Sequence, residues 1–185
     1  MNFNDFRLIN KAMNFANKAL EGVFRKRSRL PYIIHPTRVA TQLLVEGIKN
    51  SVIIASAILH DILEETQFIS RYILDDTFGK EITNLVVEMT DPISIKDKYL
   101  LQKYKVQRIK NYSSPEATLI ALADKTDNLR DLDHELNSGL ILDISAKQYY
   151  YCEMGNAFHK RESGIFIPAY GKLLKEYDEL ILKLF

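Results

Sequence analysis

The stretch Ser51-Val-Ile-Ile-Ala-Ser-Ala-Ile-Leu59 runs directly into His60-Asp61, with Glu64-Glu65 one helical turn further on. An apolar run of this length is too short to cross a bilayer and fits a buried helix. Its end is unusual. An imidazole and a carboxylate side by side at a buried stripe are costly unless something compensates them. At helical spacing His60 and Glu64 share one stripe, and Asp61 and Glu65 share the next. Four groups able to bind a metal or move protons are therefore expected on one patch.

Two more such groups lie elsewhere in the chain. His35 precedes Pro36, and Asp124 interrupts the apolar segment Leu119-Ile-Ala-Leu-Ala123. Taken singly, His35 fits a histidine hydrogen-bonded at a helix start, and His60 fits a satisfied core histidine. Asp61, Glu64 and Glu65 alone fit a solvated last turn. Asp124 is harder to dismiss, because Asp124, Asp127, Asn128 and Asp131 fall on one helical face. Those carboxylates repel one another, a cation would relieve them, and removing one of them is expected to ease the crowding. Together, His35, His60, Asp61 and Asp124 form a donor set suited to a divalent transition metal.

Around these groups the chain reads as helix throughout. Seven glycines and five prolines in 185 residues leave few breaks. Apolar spacing predicts a first helix over Phe3 to Glu21 (Phe6, Ile9, Ala12, Met13, Ala16, Leu20), stopped by Gly22. Residues 22–34 read as a loop. A second helix is expected over about 36–48, with Pro36 in its first turn and Val39, Ala40, Leu43 and Leu44 inward. Ser51 is expected to cap the third helix. Short helices follow over Ser70 to Thr77 and Glu81 to Thr90, either side of Phe78-Gly79. After the break at Asp91-Pro92, helices are expected over about 96–111, from Ser114-Pro115 through Asp124 to about Leu136, and over 145–162 and 166–184. No stretch shows sustained strand alternation with hairpin signals. The expectation is an all-α chain forming one domain over 1–185, its motifs within about 5–135 and a helical extension over about 140–185.

Composition limits the function. Hydrophobic content of 46% and charged content of 26% are ordinary for a globular protein. A net charge of +1 gives no bulk electrostatic support for nucleic-acid or membrane binding. The one cysteine, Cys152, excludes an intrachain disulfide, suits a reducing compartment and reads as a packing residue. The N-terminal residues lack a signal-peptide pattern, so a cytoplasmic protein is expected. Nothing in the sequence speaks to oligomeric state. His159 reads as a surface residue.

Four blocks in order, Pro31-Tyr-Ile-Ile-His35-Pro36, Leu59-His60-Asp61-Ile-Leu-Glu64-Glu65-Thr66, Phe78-Gly79 and Leu122-Ala-Asp124-Lys-Thr-Asp-Asn128-Leu-Arg130, resemble the HD-domain hydrolases. More closely, they resemble the hydrolase domain of the RelA/SpoT homologues, including the single-domain small alarmone hydrolases. The resemblance implies an HD-domain helical bundle. It also implies one metal ion, usually manganese, on His35, His60, Asp61 and Asp124. It puts the family's acidic pair on Glu64 and Glu65, its basic pair near the guanosine base or phosphates on Arg25 and Lys26, and its nucleotide-sugar asparagine on Asn128. Relatives mostly carry Glu-Asp where this chain has Glu64-Glu65, and often histidine or tyrosine where it has Asp127. The chain has no room for the synthetase domain of longer relatives.

The chemistry asks for the same residue types. Mixed imidazole and carboxylate ligands leave positions for water and substrate. Glu64 or Glu65 can orient a water or take its proton. Arg25 and Lys26 can neutralise phosphate, although Arg25-Lys-Arg-Ser-Arg29 equally fits a solvated loop. Tyr32 fits either stacking on a base or packing. The leading expectation is a manganese-dependent hydrolase that removes the 3′-pyrophosphate from guanosine tetra- or pentaphosphate, with a small-molecule nucleotide as its partner. The alternatives are an HD nucleotidase or phosphodiesterase acting on another nucleotide, and a non-catalytic nucleotide-binding module. Retention of all four ligands speaks against the last.

Overall fold

A computed structural model describes residues 1–141 and 143–185. The chain divides into two compact units, Met1–Thr90 and Asp91–Phe185. Among the described residues there is no strand, and the only β pairing is an isolated antiparallel bridge between Phe24 and Pro31. The all-α expectation therefore holds. Among the described residues no helix is long and apolar enough to cross a membrane.

The first unit contains α1 (Phe3–Ala19), α2 (Ile34–Val45), α3 (Ser51–Leu59), α4 (Ile62–Glu65), α5 (Arg71–Phe78) and α6 (Lys80–Met89). It is organised around α3, which is buried from Ile53 to Leu59 and packs on α1, α2 and α6. A helix apolar on every side can be stable only when enclosed in this way. The cap of α3 is Asn50, whose side chain accepts from the Val52 N–H at 2.9 Å. Ser51, the expected cap, is the first helical residue instead. Either residue type suits the position, and Asn50 carries the extended backbone that a cap needs (φ −75°, ψ 111°).

Leu44, expected inward, and Phe6, on the apolar spacing of α1, both reach the surface. Phe6 is 63% exposed and Leu44 38% exposed. In α1 the small residues Ala12, Ala16 and Ala19 form the buried stripe, which lets α3 come close. Gly79, at φ 82°, turns the chain between α5 and α6 in a conformation that L side chains rarely adopt.

The second unit contains α7 (Lys98–Asn111), α8 (Pro115–Asn137), α9 (Ser145–Glu162) and α10 (Pro168–Leu184). The α8 start is as expected: the Ser114 side chain accepts from the Ala117 N–H and Pro115 occupies the first turn. Helix α10 packs on both α8 and α9, and α9 packs on α7. Three buried aromatic rings lock α9 to α10. The Tyr177 hydroxyl donates to the Tyr151 carbonyl at 2.7 Å and the Tyr170 hydroxyl to the Phe158 carbonyl at 2.8 Å. The Phe158 and Tyr177 rings meet edge to face at 5.5 Å. Gly155 allows this contact, since a Cβ there would lie 3.2 Å from the Tyr177 ring.

Candidate metal centre

In the first unit three of the expected site residues come together. His35 lies in the first turn of α2, and its N–H donates to the Tyr32 carbonyl at 3.0 Å. His60 is the last, capping residue of α3. Asp61 sits between α3 and α4, with φ −95° and ψ −1°. The pair thus lies at a junction of two helices and not along one continuous helix, as simple stripe spacing had it. His35 and His60 are buried and Asp61 half-buried. His60 Nε2 lies 3.2 Å from Asp61 Oδ2, and His35 Nε2 3.6 Å from the same oxygen.

One ligand atom from each of the three residues can be chosen so that all lie within 4.8 Å of one another. Ligands at about 2.0–2.2 Å from one ion are separated by roughly 3–3.5 Å, so this donor set fits a divalent cation. The tautomer fits as well. His60 Nδ1 is 2.8 Å from the Ala57 carbonyl. A proton on Nδ1 satisfies that oxygen and leaves the Nε2 lone pair facing the cluster.

Sequence reasoning missed how Tyr32 takes part. It packs, as one of its two readings had it, but its hydroxyl also donates to Asp61 Oδ2 at 2.7 Å. Burial, and then the nearby Asp61 charge, push the phenol well above its ordinary pKa, so it remains a donor. The available signal was its place three residues before His35 at a helix start. The basic residues Arg25 and Lys26 lie in the loop closed by the Phe24–Pro31 bridge, with Arg25 half-buried and Lys26 exposed. The Arg25 guanidinium stands over the Tyr32 ring, 5.4 Å from its centroid.

Glu64 is exposed and Glu65 half-buried on the single turn α4, and both N–H groups donate to the Asp61 carbonyl at 3.0 Å. Neither belongs to the group of potential ligands around His35, His60 and Asp61.

In the second unit α8 carries Asp124 and Asn128. Asp124 is 8% exposed. Its Oδ2 accepts from Lys125 Nζ and its Oδ1 from the Asn128 amide, each at 2.5 Å. Lys125 is the second omission. Burial is the strongest influence and acts to lower its pKa, but the Asp124 carboxylate, Tyr150 and Tyr151 together outweigh burial and hold the ammonium well above the usual lysine value. The cation expected to relieve the α8 carboxylates is thus in part the chain's own lysine. Asp127 is 1% exposed, so it does not face solvent.

This pairing reverses the stability expectation for Asp124. Losing its carboxylate leaves a largely buried ammonium without that partner. Asp124→Ala in metal-free protein is expected to cost about 3 kcal/mol, lowering the melting temperature by roughly 6–12 °C. The double variant Asp124→Ala/Lys125→Met is expected to recover most of that loss. Thermal unfolding of the three proteins checks it, and an Asp124→Ala protein more stable than wild type would refute the pairing.

Comparison with known proteins agrees with this chemistry. The HD domain family matches residues 12–141. The chain is 38% identical over 134 residues to guanosine-3′,5′-bis(diphosphate) 3′-pyrophosphohydrolase MESH1 of Xenopus tropicalis, covering 69% of this chain and 71% of that protein. It is 34% identical over 132 residues to guanosine-3′,5′-bis(diphosphate) 3′-pyrophosphohydrolase of Aquifex aeolicus, of whose length it spans 18%. A solved structure described as a metazoan ortholog of SpoT that hydrolyzes ppGpp superimposes with a TM-score of 0.78 at 26% identity. That likeness covers 95% of this chain and 94% of the other, and so takes in most of the segment after residue 140, for which the sequence suggested no counterpart. With a family match over residues 12–141, a span that holds the gathered His35, His60 and Asp61, the chain belongs to the HD domain family.

Proposed function

We propose that this chain is a manganese-dependent hydrolase that removes the 3′-pyrophosphate from guanosine tetra- or pentaphosphate in the cytoplasm, giving GDP or GTP and pyrophosphate. The observation that carries the proposal is the gathering of His35, His60 and Asp61 around one carboxylate oxygen, in a chain whose relatives are named for this reaction. Asp124 is assigned as the fourth ligand, and the family match spans all four residues. On this reading residues 1–185 act as one catalytic domain.

Hydrolysis adds water to the phosphorus attached to the ribose 3′ oxygen. The P–O3′ bond breaks, the 3′ oxygen takes a proton, and pyrophosphate departs. His35, His60, Asp61 and Asp124 would hold a divalent cation, which when bound would supply a Lewis acid for phosphoryl oxygen and lower the pKa of water toward neutrality. Glu64 and Glu65 are assigned to orient that water and take its proton. Arg25 and Lys26 are assigned to the substrate phosphates, with the Arg25 fork able to bind two oxygens at once. Asn128 is assigned to the nucleotide sugar.

The test is incubation of the purified protein with manganese and a panel of nucleotides that includes guanosine tetraphosphate, with products separated by chromatography. GDP and pyrophosphate are expected. Arg25→Ala is expected to raise KM for the tetraphosphate roughly 10–100-fold, the worth of a charge-assisted hydrogen bond. Cleavage of simple nucleoside monophosphates alone, with the tetraphosphate untouched, would replace the proposal with a general HD phosphohydrolase.

A further inference from the structure

We infer that Tyr32 is a positioning residue that holds the Asp61 carboxylate and the Arg25 guanidinium in one fixed arrangement, coupling metal ligation to the basic loop. The inference rests on the metal reading above and assigns a role to a residue outside the ligand set.

Tyr32 has three polar attachments and a ring face. Its N–H donates to the Val23 carbonyl at 2.9 Å, which ties it to the base of the loop. Its carbonyl accepts the His35 N–H at 3.0 Å, at the start of α2. Its hydroxyl donates to Asp61 Oδ2, the oxygen nearest both imidazoles. Arg25 stands over its ring, and its backbone is pinned at both ends, the Arg25 N–H donating to the Leu30 carbonyl at 2.8 Å and its carbonyl accepting from the Arg29 N–H at 3.2 Å.

An aspartate side chain rotates about two bonds, so a ligand oxygen must be held if it is to meet an ion at the right angle. Tyr32 supplies that restraint from a rigid, 9%-exposed side chain. A carboxylate oxygen accepts a hydrogen bond with one lone pair and keeps another for a metal. Partners of this kind behind a ligand typically change metal affinity or activity 10–100-fold. The ring meanwhile holds Arg25 by a cation–π contact.

Two substitutions separate the roles. Tyr32→Phe keeps the ring and the packing but removes the hydroxyl, and Tyr32→Leu removes both. Manganese affinity is measured by titration calorimetry on metal-free protein, and KM and kcat on guanosine tetraphosphate at limiting and saturating manganese. Tyr32→Phe is expected to bind manganese about 10–100-fold more weakly, with KM at saturating metal within about twofold of wild type and kcat recovering there. Tyr32→Leu is expected to lose metal affinity similarly and also to raise KM about threefold or more, because Arg25 is released. A Tyr32→Phe protein that binds manganese like wild type, or whose turnover stays low at saturating metal, overturns the inference. Wild-type protein that binds no manganese removes the metal reading itself, a distinct outcome visible before any variant is compared.

Discussion

Replacing Asp61 is expected to abolish metal binding and hydrolysis together. Both imidazoles face Asp61 Oδ2, at 3.2 and 3.6 Å, and it is the one anionic member of the group. Without that charge the group keeps two neutral rings, and the proposed ligand set keeps a single carboxylate, Asp124, a poorer match for a hard divalent ion. The better variant is Asp61→Asn. Alanine would leave the buried Tyr32 hydroxyl without its acceptor, at a cost of about 1–3 kcal/mol in stability. Asparagine keeps an oxygen for Tyr32 and the side-chain volume, and removes only the charge. Loss of the ion takes away several kcal/mol of transition-state charge stabilisation, so turnover is expected to fall by more than about 10³-fold. Circular dichroism should show an unchanged helical fold. Full metal occupancy by elemental analysis, with turnover near wild type, would remove Asp61 from the centre.

Much of this centre was legible in the sequence because it rests on burial and periodicity. The run ending at Leu59 read as an enclosed helix, and a histidine and an aspartate at its end needed a purpose. The helix start with a recognisable cap and proline, Ser114-Pro115 before α8, was equally readable. What was not legible depends on geometry finer than a repeat. Asn50 and Ser51 are both good caps, and only the backbone angles decide between them. Phe6 and Leu44 lie on helical spacing with buried residues, yet α1 buries its alanines and leaves the larger ring outside. The break at Asp61 follows no breaker residue, neither glycine nor proline, so the spacing ran straight through it.

The roles of Tyr32 and Lys125 were hidden for another reason. Helical neighbours are expected three or four residues apart, but Lys125 folds back on the residue immediately before it. Tyr32 reaches Asp61 across 29 residues from a loop. Both residues act on the candidate ligands without being ligands, and a pattern that seeks donor atoms passes over them. The stability expectation for Asp124 reversed on this account, since its countercharge is covalently present one residue away.

The same distinction between ligand and neighbour decides what to expect of Glu64 and Glu65. They stand one short turn beyond Asp61, tied to its carbonyl through their N–H groups at 3.0 Å and outside the ligand group. Glu65 is half-buried and its charge acts on the Tyr32 hydroxyl, so it lies toward the cluster, whereas Glu64 is exposed. Glutamine in place of either keeps the size and one hydrogen-bonding oxygen but cannot accept a proton. Each of Glu64→Gln and Glu65→Gln is expected to lower kcat by roughly 10²–10⁴-fold, the usual worth of a proton-transfer group, with manganese content unchanged. Glu65→Asp is the informative control. It shortens the side chain by one methylene and installs the residue that the resembled family mostly carries there, so it should retain far more activity than Glu65→Gln. A metal-depleted Glu65→Gln protein would make Glu65 a ligand. Wild-type turnover in both glutamine variants would leave proton transfer to solvent or substrate, with Glu64 and Glu65 serving only to shape the turn that presents Asp61.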